Sequence, residues 1–79
     1  MVMKFSELVE KYEGASNGRV TFNIIDNNNN VIGKYDYESY NNGDEESINT
    51  YNMYSNNNCK ITEITYYMMW TLIICKIEK

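Results

Sequence analysis

A small α+β fold is what this chain predicts: an antiparallel sheet of about four strands with an N-terminal helix packed on one face. Three observations carry that expectation. An apolar stripe with helical spacing lies near the N-terminus, two alternating runs flank four consecutive asparagines, and the C-terminal run is β-branched and nearly all apolar. Seventy-nine residues make a single domain, 1–79, with a thin core.

The elements follow in order. In residues 3–13, Phe5, Leu8, Val9 and Tyr12 fall at i, i+3, i+4 and i+7, while Glu7, Glu10, Lys11 and Glu13 take the other side of a helix. Gly14 tolerates positive φ and predicts the stop, leaving 14–18 as a loop. Residues 19–26 alternate, with Val20, Phe22 and Ile24 on one face and Thr21, Asn23 and Ile25 on the other, as a half-buried strand does. Asn27–Asn30 read as a turn, because asparagine accepts the left-handed conformation. Residues 31–37 return as the second strand of a hairpin, with Val31, Gly33, Tyr35 and Tyr37 on one face.

Asn41, Asn42 and Gly43 break that strand. Asp44 is placed to cap a short second helix over 44–54, with Glu45 and Glu46 at its positive end and Ile48, Tyr51 and Asn52 on one side; an irregular loop is the alternative. Residues 60–67 form a further strand, in which the three-residue spacing of Ile61 and Ile64 calls for a bulge or a helical turn. Met68 and Met69 turn the chain into 70–77, a central strand expected to be covered on both faces.

Composition narrows the function. Seven basic against eleven acidic residues give a net charge of −4, and Arg19 is the sole arginine. Such a balance disfavours direct binding of nucleic acid or of an acidic membrane, and favours a basic protein surface as partner. Histidine is absent, which removes the commonest neutral-pH proton-transfer group and metal ligand. The start has no apolar signal region, the longest nearly apolar run (66–75) is too short to span a bilayer, and two cysteines suit a reducing compartment; a cytoplasmic protein is expected.

Candidate chemistry is sparse, and no enzyme, cofactor or metal is expected. Cys59 and Cys75 have no histidine to form a thiolate, and a hairpin turning at Met68–Met69 would set Cys75 opposite Thr62 and Cys59 opposite Glu78, too far out of step for a disulfide. Asp26, Asn28 and Asn30 have the spacing of half an EF-hand loop, but the sixth place is Val31 and the twelfth Tyr37, so a hairpin turn is the better reading.

One stretch stands apart. Between Lys34 and Lys60 lie Asp36, Glu38, Asp44, Glu45 and Glu46 with no basic residue, interleaved with Tyr35, Tyr37, Tyr40, Tyr51 and Tyr54. Tyrosine offers large contact area at low entropy cost, and spaced carboxylates can stand in for phosphates in a basic groove. The partner-binding residues predicted are Asp36, Tyr37, Glu38, Tyr40, Asp44, Glu45, Glu46, Tyr51 and Tyr54. The bland alternative is a solvated loop whose tyrosines belong partly to the core.

The succession of residues 5–14, 20–37, an acidic break and 70–79 resembles small phage- and prophage-encoded proteins of low-GC Firmicutes, some of which are anti-CRISPR inhibitors. What the resemblance implies is an inhibitor of a CRISPR effector in the host cell, acting as a partial DNA mimic with no reaction and no cofactor. The second expectation is a structural or assembly protein that forms a homodimer through an exposed sheet edge, with 66–75 as its interface.

Overall fold

Phe5, Leu8 and Val9, the inner side of the N-terminal stripe, are buried and set the position of the helical layer. The structure, a computed structural model, describes residues 2–15 and 18–78. Helix α1 spans Phe5–Ala15, running past Gly14, where a stop was predicted; of the expected loop at 14–18, residues 16 and 17 lie outside the described residues. Ahead of it Val2–Lys4 form a short strand, β1, paired antiparallel with β4 (Asn58–Tyr67). Three residues are too few to display an alternation, so β1 carried no signal of its own.

Strand β2, Arg19–Ile25, alternates as predicted: Val20, Phe22 and Ile24 are buried beneath the helices. The turn into β3, Val31–Asp36, is organised by Asp26. One carboxylate oxygen accepts from the N–H groups of Asn28 and Asn30, each at 2.9 Å, and the Asp26 N–H donates to the Asn30 carbonyl. These bonds, the one from Asn30 foremost, hold the Asp26 carboxyl below its ordinary value of 3.8. That oxygen is engaged in the turn, which supports the hairpin over the half EF-hand.

Strand β3 sets Tyr35 opposite Phe22 and Gly33 opposite Ile24. A Cβ on Gly33 would lie 2.8 Å from Thr50 Cγ2 and 3.3 Å from Tyr54 Cε2, so the bare backbone is what lets a helix pack onto this strand. The strand ends one residue early. Tyr37 does not continue its inner face but begins a five-residue helix, α2 (Tyr37–Asn41), because Asp36 caps it, accepting from the Glu38 and Ser39 N–H groups. The Asn-Asn-Gly run therefore does not end the strand, contrary to expectation, but separates two helices: Asn41 closes α2, and Gly43, at φ 85, leads into the next. Asp44 then caps α3, Glu45–Tyr54, accepting from the Ser47 N–H at 3.0 Å. Ser47 and Thr50 are its buried residues; of the three expected to share one side, Ile48 and Tyr51 are partly buried and Asn52 is exposed.

Strands β4 and β5 (Trp70–Ile77) meet in a two-residue turn at Met68–Met69, with Tyr67 opposite Trp70. The register shifts between Ile61 and Glu63, a bulge that brings both Ile61 and Ile64 against the core. The sheet order is β1-β4-β5-β2-β3. The α+β class and the packed N-terminal helix stand as predicted. The sheet has five strands and is mixed, since β5 runs parallel to β2. The apolar β5 takes the central position, bonded on both edges, and the crossover through β3, α2, α3 and β4 delivers it parallel to β2. Only one of its faces is layered: Ile73, Cys75 and Ile77 lie under the helices, while Trp70, Leu72 and Ile74 face away from them, which corrects the expectation of cover on both sides.

Candidate functional site

The helices leave a groove between α1 and the α2–α3 pair. Its volume is about 510 Å³. Helix α1 contributes Ser6, Val9, Glu10 and Glu13; α2 contributes Tyr37 and Tyr40; α3 contributes Tyr51; and Tyr35 of β3 lies at the bottom. The three deeper tyrosines form a ring cluster, with Tyr35–Tyr51 and Tyr40–Tyr51 centroids both 5.4 Å apart and Tyr35–Tyr40 at 5.7 Å. Phe5 supports it from below, edge-on to Tyr35 at 5.6 Å. Tyr37 stands 38% exposed. Burial first, and then the charge of Glu13, push the Tyr35 phenol well above its ordinary value, so it stays neutral.

Electron-rich ring faces beside carboxylates attract a cation, and a desolvated contact of that kind is worth about 2 kcal/mol. The groove suits a cationic group such as an ammonium or a guanidinium.

Of the predicted residues, the fold gathers Tyr37, Tyr40 and Tyr51 here. Glu38 is adjacent, lining a small cavity of about 200 Å³ with Glu13, Tyr37 and Arg19. Asp44, Glu45 and Glu46 are exposed at the start of α3, about 9 Å along its axis from Tyr51 and outside the groove. Tyr54 is separate: it packs on the core and lines another cavity, with Asp26 and Ile77 among its walls.

Asp36 requires correction. It is not a free interface acid, since its carboxylate caps α2 and pairs with the Arg19 guanidinium, leaving its side chain 14% exposed. The stretch lacks a base in sequence, but β2 lies beside β3 and supplies one. Tyr40, Tyr51 and Tyr54 are likewise only partly exposed, because they occupy the inward sides of α2 and α3. Glu10 and Glu13 were missed as site residues; their i, i+3 spacing next to Val9 was the available signal.

Charge is segregated by layer. Helices α1–α3 and their caps carry Glu7, Glu10, Glu13, Glu38, Asp44, Glu45 and Glu46 against Lys11, apart from Asp36 at the sheet boundary. Every strand, in contrast, carries one cation: Lys4, Arg19, Lys34, Lys60 and Lys76.

Both cysteines are free and buried. Cys75 pairs with Ile61 and Cys59 with Ile77, one place from the expected register because of the bulge. The Cys59 thiol donates to the Met3 carbonyl and the Cys75 thiol to the Asn23 carbonyl, and the neighbouring Cys59 thiol, then burial, pushes the Cys75 thiol far up. Among the described residues no group of three histidine, cysteine or acidic residues could hold a metal, and no helix is long and apolar enough to cross a membrane. No family model, curated protein or solved structure matches this chain.

Proposed function

We propose that this protein is a small inhibitor of the anti-CRISPR kind, acting in the host cytosol by docking its acidic helical layer onto a basic surface of a CRISPR effector complex. No reaction and no cofactor belong to this reading. The observation that carries the binding mode is the tyrosine groove rimmed by Glu10 and Glu13, set in a helical layer with seven carboxylates and one lysine. A lysine or arginine of the partner enters the groove; Glu38, Asp44, Glu45 and Glu46 attract the surrounding basic surface and speed association. The choice of a CRISPR effector as target rests on the resemblance of the sequence.

The test is capture of purified effector complexes by the tagged protein, followed by affinity and rate measurements on variants. Glu10→Lys combined with Glu13→Lys is expected to weaken binding at least tenfold. Glu45→Lys with Glu46→Lys should mainly slow association, and Glu63→Lys on the opposite face should change little. Equal losses from all three would refute the surface assignment, and no binding to any effector would refute the target.

A second reading, self-association, is favoured by one observation: β3 is an edge strand on which Val31 and Ile32 are exposed. A concentration-dependent dimer in sedimentation, abolished by Ile32→Lys, would support it.

A further inference from the structure

The face of the sheet away from the helices is uncovered, and its chemistry is opposite to that of the helical layer. Alternation places Lys34, Lys60 and Lys76 on it, with Lys4 at the β1 edge; Arg19 has the same parity, but its guanidinium is held by Asp36 and Ser39 at the end of the sheet. Asp36 and Glu63 are the carboxylates on these strands, and Asp36 is already paired with Arg19. Lys60 and Lys76 stand directly opposite one another in the β4–β5 ladder, with no ion pair to either among the described residues. Like charges in that position are unfavourable, so the fold tolerates a repulsion that an anion would relieve.

At the other end of the same face, Tyr67 and Trp70 stack at 4.6 Å with planes 17° apart. The indole N–H donates to Thr21 Oγ1 at 3.0 Å, which fixes the ring. Both rings remain open to solvent, Tyr67 at 51% and Trp70 at 38%. Between the two ends lie Leu72 and Ile74, partly buried, and the exposed Glu63 opposite Ile74, the one carboxylate of the strands on this face that is not paired among the described residues. From Trp70 to Lys76 the face runs about 20 Å.

We propose that this open face binds a short single-stranded nucleic acid. Bases extend the Tyr67–Trp70 stack, and phosphates meet Lys60, Lys76 and Lys34. Aromatic platforms flanked by cations hold single strands in this way without sequence preference, and the length suits the low end of the ~4–16 nucleotides typical of such platforms. A second copy of the chain fits less well. Five strands spaced about 4.8 Å apart over that length offer roughly 480 Å² per partner, below the ~800 Å² of a stable interface. Facing copies would also bring their lysines together. The net charge of −4 disfavours nucleic acid for the molecule as a whole, but seven of its eleven acids lie in the helical layer on the other side of the sheet, and the site is independent of that layer.

Trp70 is the sole tryptophan, so its fluorescence reports on the site directly. Titration with an eight-nucleotide oligo(dT) is expected to give saturable quenching. Neutralising three phosphates of a single strand predicts a salt slope of about −2, hence roughly twentyfold weaker binding at about 200 mM than at about 50 mM salt. Lys60→Gln with Lys76→Gln should weaken binding more than tenfold and reduce the slope to about −0.7. The same variant should melt at or above the parent temperature, since it relieves a repulsion; a structural role would move stability the other way. Tyr67→Ala, at an exposed position, should weaken binding roughly tenfold.

Absence of saturable quenching would overturn the proposal. So would binding unaffected by the lysine replacements, equal quenching by poly-glutamate, or a dimer that buries Trp70.

Discussion

Asp36→Ala separates an acid that holds the fold from one that would touch a partner. The carboxylate accepts from the Glu38 N–H at 2.9 Å and the Ser39 N–H at 3.4 Å, so its loss removes an N-cap, costing about 1 kcal/mol. It also removes the ion pair with Arg19, whose side chain is 48% exposed; solvent screening limits that contribution to about 0.5 kcal/mol. The contact from Thr21 Oγ1 is 3.4 Å long and adds little. The total is about 1.5 kcal/mol, which in a domain of this size lowers the melting temperature by roughly 6–12 °C. Asp36→Asn keeps a capping oxygen and should lose only about 0.5 kcal/mol. Glu38→Ala, exposed in the first turn of α2, should cost no more than about 0.3 kcal/mol. Urea unfolding followed by far-ultraviolet circular dichroism measures all three. The reasoning fails if Asp36→Ala is as stable as the parent while losing affinity for a basic partner, because the residue would then be an interface acid after all.

Two further predictions concern turns. Met69 adopts φ 64 in the β4–β5 turn, a region in which a side chain costs about 1 kcal/mol; Met69→Gly should therefore raise stability by about 0.5 kcal/mol in thermal melts, and a fall would contradict that strain. The depressed Asp26 carboxyl stabilises the fold above its unfolded value near 3.8, and that contribution is lost as pH falls through the lower folded value. Asp26→Asn should accordingly flatten the acid limb of stability measured between about pH 5 and about pH 2, and an unchanged limb would show that the Asn28 and Asn30 bonds are inconsequential.

What the sequence determined by itself was local. The Phe5–Tyr12 stripe, the β2–β3 hairpin, the Asp44 cap, the Ile61–Ile64 bulge and the central strand were legible because each rests on the period of one element or the chemistry of one turn. Periodicity states which residues share a face but not what is brought against that face. Tertiary structure decided the rest. β1 exists because the edge of β4 is there to pair with it, and β5 runs parallel to β2 because of a crossover more than forty residues long. Glu10 and Glu13 meet Tyr37, Tyr40 and Tyr51 only once α1 lies beside α2 and α3, and Arg19 reaches Asp36 only across a strand pair. The net charge of −4 was plain from composition, but its division into an acidic helical layer and a cation-bearing sheet was not, because charges far apart along the chain become neighbours only through strand order and register.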